Sequence, residues 1–347
     1  MKLIHLFYGL LIASTTTFTI ANACTRILRA DNEPAVMVGR NMDWNMPDRM
    51  AANLWVYPRG MERNGFVPDN PLRWRSKYGS IAATSFDNVM PVTSDGMNEH
   101  GFAAHLNSLV KSNYGERNKN IPGLSVVMWA QYFLDNFKTV DEAVKFAASN
   151  AFQMVPFQNP ASGKYINVHL AIEDETGDSA IIEYVDGTMH VYRDRSYTAM
   201  TNDPEYSEQL ANLKQYQGFG GNRPLPGTAS PEDRFVRATF YAAHLPEYKN
   251  VRDELSGMFG VIQNVTHPAS ATSKETPYTS ETVWRVVSDL TNRTYYFSNM
   301  KGLNLLVTSL NQFNLREGEA PMRLIVQERT DLAGDVTKLF EKIVNKP

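Results

Sequence analysis

One cysteine, Cys24, stands directly behind a segment with the composition of a removable export signal. Lys2 gives a positive start, Leu3 to Ala13 is largely apolar, and Ala21-Asn22-Ala23 is the small-x-small pattern at which such signals are cut. Cleavage after Ala23 would place a thiol and a free α-amine on one residue, so nucleophile and base would arrive together. A lone cysteine in an exported chain cannot close an internal disulfide, and it reads as reactive or oligomer-linking. Two other readings exist. A lipoprotein signal also ends before a cysteine, which would make the chain a lipid-anchored binding lipoprotein; Ala21 and Asn22 stand where that signal favours Leu and then Ser or Ala. Cys24 could also be a small core hydrophobe.

Arg40 and Asp43 lie within Val38-Gly-Arg-Asn-Met-Asp-Trp44. Thr25 to Arg29 and Ala35 to Arg40 read as two short strands around turn material at 30–34, and such a hairpin folds this motif back onto Cys24. A guanidinium beside a thiol raises its thiolate fraction. A carboxylate can orient an α-ammonium. The competing reading is an ion pair between Arg40 and Asp43 at the hairpin end, of little value if exposed.

The elements that must position these groups read as follows. Further strands are expected at 53–58 and 81–84, and a helix at 124–137. A capping box, Thr139 to Glu142, opens a second helix over 140–148. Strands at 166–172, 179–184 and 188–193 form a meander, a helix follows over 232–245, and strands return at 284–289 and 294–298. Strands grouped with strands and helices with helices predict an α+β domain of antiparallel sheets covered by helices. The expected organisation is a signal over 1–23 and one mature domain over 24–347. With 43% hydrophobic and 11% aromatic residues the chain has material for a large core, and a net charge of −3 gives no reason to expect nucleic acid. No P-loop, dinucleotide fingerprint or paired-histidine motif is present, so no cofactor or metal is expected. No stretch after the signal is long and apolar enough to span a bilayer, so no stable membrane insertion is expected, and the mature chain is placed in the periplasm or outside the cell.

Cys24-Thr-Arg26, Gly39-Arg-Asn-Met-Asp-Trp44, Asp95-Gly-Met-Asn-Glu99 with Gly101, Thr201-Asn-Asp-Pro204 and Asp233-Arg-Phe-Val-Arg-Ala238 occur in one order along the chain. Together they resemble the choloylglycine hydrolase family, whose members include bile salt hydrolases and penicillin V acylases. The resemblance implies the N-terminal nucleophile hydrolase fold, a four-layer αββα sandwich of two antiparallel sheets between helix layers. It also implies roles: Cys24 as nucleophile, Arg40 beside its sulfur, and Asp43 holding the new amine. Asn202 would donate its side-chain amide to the oxyanion and Asn107 a backbone N–H, while Arg234 completes the polar cluster, with Arg237 as competitor for that place. The chemistry is hydrolysis of a linear C–N amide through a thioester. The expected substrate is a small amide with a bulky apolar acyl group. Penicillin V or acyl homoserine lactone acylase activity is the first expectation, and conjugated bile salt hydrolysis the alternative. Autoprocessing and a homo-oligomer, tetramer or dimer, complete the expectations.

Overall fold

The computed structural model describes residues 24–30, 34–45, 52–85, 91–159, 163–268 and 280–343. The export signal expected over 1–23 lies outside them. Sixteen strands build the two large sheets: β1 (Thr25–Arg29), β2 (Met37–Asn45), β3 (Asn53–Tyr57), β4 (Ser80–Ser85), β5 (Val92–Asn98), β6 (Ala103–Ser108), β7 (Val168–Glu173) and β8 (Ser179–Val185). They continue with β9 (Thr188–Arg193), β10 (Ala199–Met200), β11 (Ser280–Asp289), β12 (Thr294–Asn299), β13 (Leu305–Ser309), β14 (Met322–Ile325), β15 (Gly334–Asp335) and β16 (Glu341–Lys342). A seven-stranded sheet runs β10-β1-β2-β11-β12-β13-β15 and a nine-stranded sheet β9-β8-β7-β6-β5-β4-β3-β14-β16. Among the described residues both sheets are antiparallel except at the β13–β15 edge pair.

Period-two alternation decides what each face of β2 meets. Val38, Arg40 and Met42 point toward the nine-stranded sheet; Val38 and Met42 join Leu28, Leu54, Ile81, Met97 and Phe297 in the core between the sheets. The opposite face carries Met37, which packs with Ile27, Met258 and Ile262 under the outer helices. Gly39 sits on that face, and a Cβ there would lie 2.2 Å from Ile262 Cδ1, so any larger residue would make the Ile262 side chain move.

Helices α1 (Trp129–Asn136) and α2 (Val140–Ala147) cover the nine-stranded sheet, against β5, β6 and β8. Helices α4 (Pro231–Ala243) and α5 (Val251–Asn264) cover the seven-stranded sheet, against β1 and β2, and α3 (Tyr206–Leu213) leans on α4. The four layers are the αββα sandwich expected. Thr139 caps α2 by accepting from Glu142 N–H at 3.2 Å, while the Glu142 carboxylate accepts from Lys138 N–H, one residue earlier than a capping box predicts.

The helix expected from Leu124 begins only at Trp129. Gly123–Ser125 is instead a strand paired in parallel with Gln153–Val155, and Val126–Met128 is a single 3₁₀ turn. Backbone pairing with a distant segment overrides a helical spacing that is real further on. Helices α3 and α5 were not expected. The signal for α5 was present: Asn250 caps it by accepting from Asp253 N–H, and Met258, Val261, Ile262 and Val265 are buried along one face. The Asp95–Glu99 motif and Asn107 prove to lie on one hairpin, β5–β6, whose tight turn holds Gly101 at φ +72°.

Candidate active site

Cys24 immediately precedes β1, and the β1–β2 register pairs Thr25 with Asn41 and Arg26 with Arg40. Its thiol points into the inter-sheet space and is 2% exposed. Sγ lies 3.6 Å from Met42 Sδ, 3.7 Å from the Asp43 carbonyl and 3.8 Å from Arg40 Nη2. Arg40 is fixed on several sides. Nε donates to Asn107 Oδ1 at 3.1 Å, Nη2 to the Leu106 carbonyl, and the guanidinium lies 5.1 Å from the Trp284 ring centroid. Burial pushes the Cys24 thiol above its ordinary range, and Arg40 opposes the shift.

Asp43, three residues beyond Arg40, falls on the other face of β2. The two therefore do not form the hairpin-end ion pair that their spacing allows. Thr282 Oγ1 donates to Asp43 Oδ1 at 2.5 Å, while Oδ2 is buried without a hydrogen-bond partner. Burial pushes the Asp43 carboxyl up to about 7, against the pull of Arg234, Thr282 and Arg40.

Arg234 reaches the same end of β1 from the first turn of α4, which Ser230 caps and Pro231 opens. Nη1 donates to the Cys24 carbonyl at 2.7 Å and to Thr25 Oγ1 at 2.6 Å, and Nη2 donates to Asn202 Oδ1 at 2.9 Å. That last bond fixes the amide orientation, because an arginine needs the oxygen. Asn202 Nδ2 then donates to the Ser108 carbonyl at 2.8 Å and keeps a second hydrogen. Asp203 holds this bend against the end of β6 by accepting from Val110 and Lys111 N–H. Arg237 is elsewhere: it donates to the Pro226 and Thr228 carbonyls and to Asn264, tying the loop before α4 to α5. Arg237→Ala should accordingly leave hydrolytic kcat/KM within about threefold while lowering the melting temperature by a few degrees. A hundredfold activity loss at unchanged stability would reverse that assignment.

Asn107 is engaged through its side chain. Oδ1 accepts from Arg40, and Nδ2 donates to the Met200 and Thr201 carbonyls at 3.2 and 3.0 Å. It pairs with His169 across β6–β7, and Leu109, two residues on, donates its N–H to the Asn167 carbonyl. N–H groups two apart on a strand face the same way, so the Asn107 N–H is directed toward β7 rather than toward the thiol. His169 Nε2 also meets the Thr201 carbonyl, and its Nδ1 meets Glu183 Oε1 at 2.7 Å. Thr201 is thus gripped from two sides just before Asn202.

A run of buried charges that sequence reading missed leads away from Arg40. Arg40 Nη1 lies 4.0 Å from Asp95 Oδ2, which is 2.5 Å from His105 Nδ1; His105 Nε2 is 2.8 Å from Glu173 Oε2, and Glu173 is ion-paired with Arg26. Tyr295 OH donates to the other Asp95 oxygen at 2.5 Å. Arg26, Arg40 and Tyr295 come from one sheet, and Asp95, His105 and Glu173 from the other. A carboxylate on each ring nitrogen holds His105 as imidazolium, its pKa raised to about 9 against the burial that opposes it. The folded chain binds this proton more tightly than the unfolded one. The resulting stabilisation, on the order of a few kcal/mol, is complete below about pH 6.5 and lost as pH rises through about 9. Urea unfolding between pH 6 and 10 should show that decline in the wild type and a flatter profile in His105→Gln.

The family described as linear amide C–N hydrolases, choloylglycine hydrolase family, matches residues 24–326, beginning at Cys24 itself. The chain belongs to the choloylglycine hydrolase family. It is therefore a linear amide C–N hydrolase. A penicillin V acylase of Pectobacterium atrosepticum is 36% identical over 322 residues, covering 88% of this chain and 85% of that protein. A bile salt hydrolase/transferase of Clostridium perfringens is 26% identical over 324 residues, covering 85% of this chain and 95% of that one. Among solved structures, a penicillin V acylase from Agrobacterium tumefaciens superposes with a TM-score of 0.83 at 38% identity, covering 92% of this chain and 98% of that one. These neighbours have the N-terminal nucleophile hydrolase fold. Within this choloylglycine hydrolase, Cys24, Arg40, Asp43, Asn107, Asn202 and Arg234 form one buried cluster around the end of β1. No group of three or more metal-ligating side chains occurs among the described residues.

Proposed function

We propose that the chain is exported, cut after Ala23 to expose Cys24, and then hydrolyses amides of the penicillin V type, acyl homoserine lactones included, in the periplasm or outside the cell. The observation that carries this reading is the convergence of Arg40, Asp43 and Arg234 on the residue at which the family match begins. The freed α-amine takes the thiol proton; a model amine has a pKa near 7.7–8.0, below that of a free thiol. The thiolate adds to the amide carbon, and the oxyanion is met by the spare hydrogen of Asn202 Nδ2. The ammonium protonates the leaving amine as the C–N bond breaks. Water, deprotonated by the same amine, then opens the thioester to release the acid and restore the thiol. We assign the oxyanion to Asn202 first, since the Asn107 N–H faces β7. Asn107 serves the centre by holding Arg40.

Similarity to the two penicillin V acylases, above 35% in each case, supports a penicillin V-type acyl group over a conjugated bile acid. The test is a side-by-side panel of phenoxymethylpenicillin, glycine- and taurine-conjugated bile acids, and acyl homoserine lactones of several chain lengths, with mass spectrometry of the mature protein. Cleavage of penicillin V or a lactone by a chain beginning at Cys24 is expected. Preference for conjugated bile acids would replace the substrate reading. A retained Ala23 or a lipidated cysteine would sink the mechanism.

A further inference from the structure

Asp43 is held in an unusual state for a buried carboxylate, with one oxygen tightly bonded and the other bare. A buried carboxylate oxygen without a donor is destabilising, so it calls for a partner that the cut itself supplies. Continuing the β1–β2 register by one step sets Cys24 against Met42, with Asp43 the next residue of β2 on the side of the Cys24 backbone nitrogen. The amine released by cleavage would therefore appear beside this carboxylate.

What fixes which oxygen is bare lies on β11. Its register against β2 slips between Thr282 and Trp284, a β-bulge that re-aims the side chain at 282. There Thr282 is clamped by the main chain of His267: Thr282 N–H donates to the His267 carbonyl at 3.2 Å, and His267 N–H donates to Thr282 Oγ1 at 2.9 Å. An amide N–H can only donate, so Oγ1 accepts there and its own hydrogen is left to point at Asp43 Oδ1. We propose that Thr282, seated by this bulge and locked by the His267 main chain, is a positioning residue that occupies Asp43 Oδ1 so that Oδ2 receives the α-ammonium of Cys24.

The inference rests on the N-terminal nucleophile reading above. It adds a residue that none of the sequence motifs contains. The other titratable groups whose charge acts on Asp43 are Arg234 from α4 and, from the opposite face of β2, Arg40, with the Cys24 thiol at the end of β1. All three stay in place when Thr282 is changed, so the hydroxyl's effect is separable from theirs. Without it the ionised carboxylate loses a hydrogen bond, and the carboxyl should titrate at higher pH.

The experiment compares wild type, Thr282→Val, Thr282→Ala and Thr282→Ser as full-length, exported and processed proteins, using the best amide of the substrate panel. Log kcat/KM against pH should show an acid limb that moves up by about one to two pH units in the Val and Ala variants, the equivalent of losing one charge-assisted hydrogen bond. Below neutral pH this lowers kcat/KM about 10- to 100-fold. Thr282→Ser should restore both limb and rate. A merely structural role predicts lower thermal stability with the limb in its wild-type place, and that result in a folded variant overturns the proposal. So does a Ser variant that behaves like Val. If the valine methyl prevents folding, the smaller alanine carries the comparison. A wild type inactive on every amide would instead count against the parent reading, so the two failures are distinguishable.

Discussion

Cys24→Ser should fold, export and melt close to the wild type, yet lose at least about 10³-fold in amide hydrolysis. A hydroxyl is far less acidic than a thiol, and the neighbours that help a thiolate form do little for an alkoxide. Arg40 Nη2 at 3.8 Å works against the burial that raises the thiol's pKa, and it has no comparable leverage on a hydroxyl. The substitution removes one polarisable atom and leaves the hydrogen bond from Arg234 to the Cys24 carbonyl untouched. Steady-state rates on the best panel substrate, with circular dichroism for folding, decide the matter. Undiminished hydrolysis by the folded serine variant would rule out the thiol as nucleophile.

Asn202→Ala should lower kcat by about 10² to 10³ with little change in KM, because the amide hydrogen offered to an oxyanion gains most of its strength in the transition state. The alanine also strips Arg234 Nη2 and the Ser108 carbonyl of partners, so some loss of stability will accompany it. Asn202→Asp separates the two effects. An aspartate can still accept from Arg234, but it places an acceptor where a donor is needed. Its activity should fall as far as the alanine variant's while its melting temperature stays nearer the wild type. A rise in KM alone would identify Asn202 as a binding residue.

The contrast between these residues and Thr282 marks what the sequence could reveal. Cys24, Arg40 and Asp43 were legible because one hairpin carries them: strand spacing brings them together, and alternation then separates the thiol-facing guanidinium from the carboxylate. Asn202 and Arg234 came from motif resemblance, since nothing local to Thr-Asn-Asp-Pro reports a contact with an arginine 32 residues on. Thr282 and His267 left no trace. Their roles arise from a bulge and from main-chain groups, which any side-chain pattern can supply. The strand pairing at Gly123–Ser125 was hidden for a similar reason: its partner is distant, while its neighbours carry a real helical periodicity. Helix α5 is different, because its cap and apolar face were written in the sequence and two glycines inside the run, Gly257 and Gly260, diluted them.

The buried charges running from Arg40 to Arg26 bear on more than the pKa of one histidine. Two sheets joined only by hydrocarbon could settle at several offsets, since aliphatic side chains interdigitate with little preference for one neighbour over the next. Here positive and negative groups alternate across the gap, arginines from one sheet and carboxylates from the other. Sliding either sheet over the other would carry each arginine away from its carboxylate and leave both buried without a counter-ion. The seam works as a key between two plates: only one alignment lets the lock close, and in that alignment the last tooth of the key is the guanidinium beside Cys24.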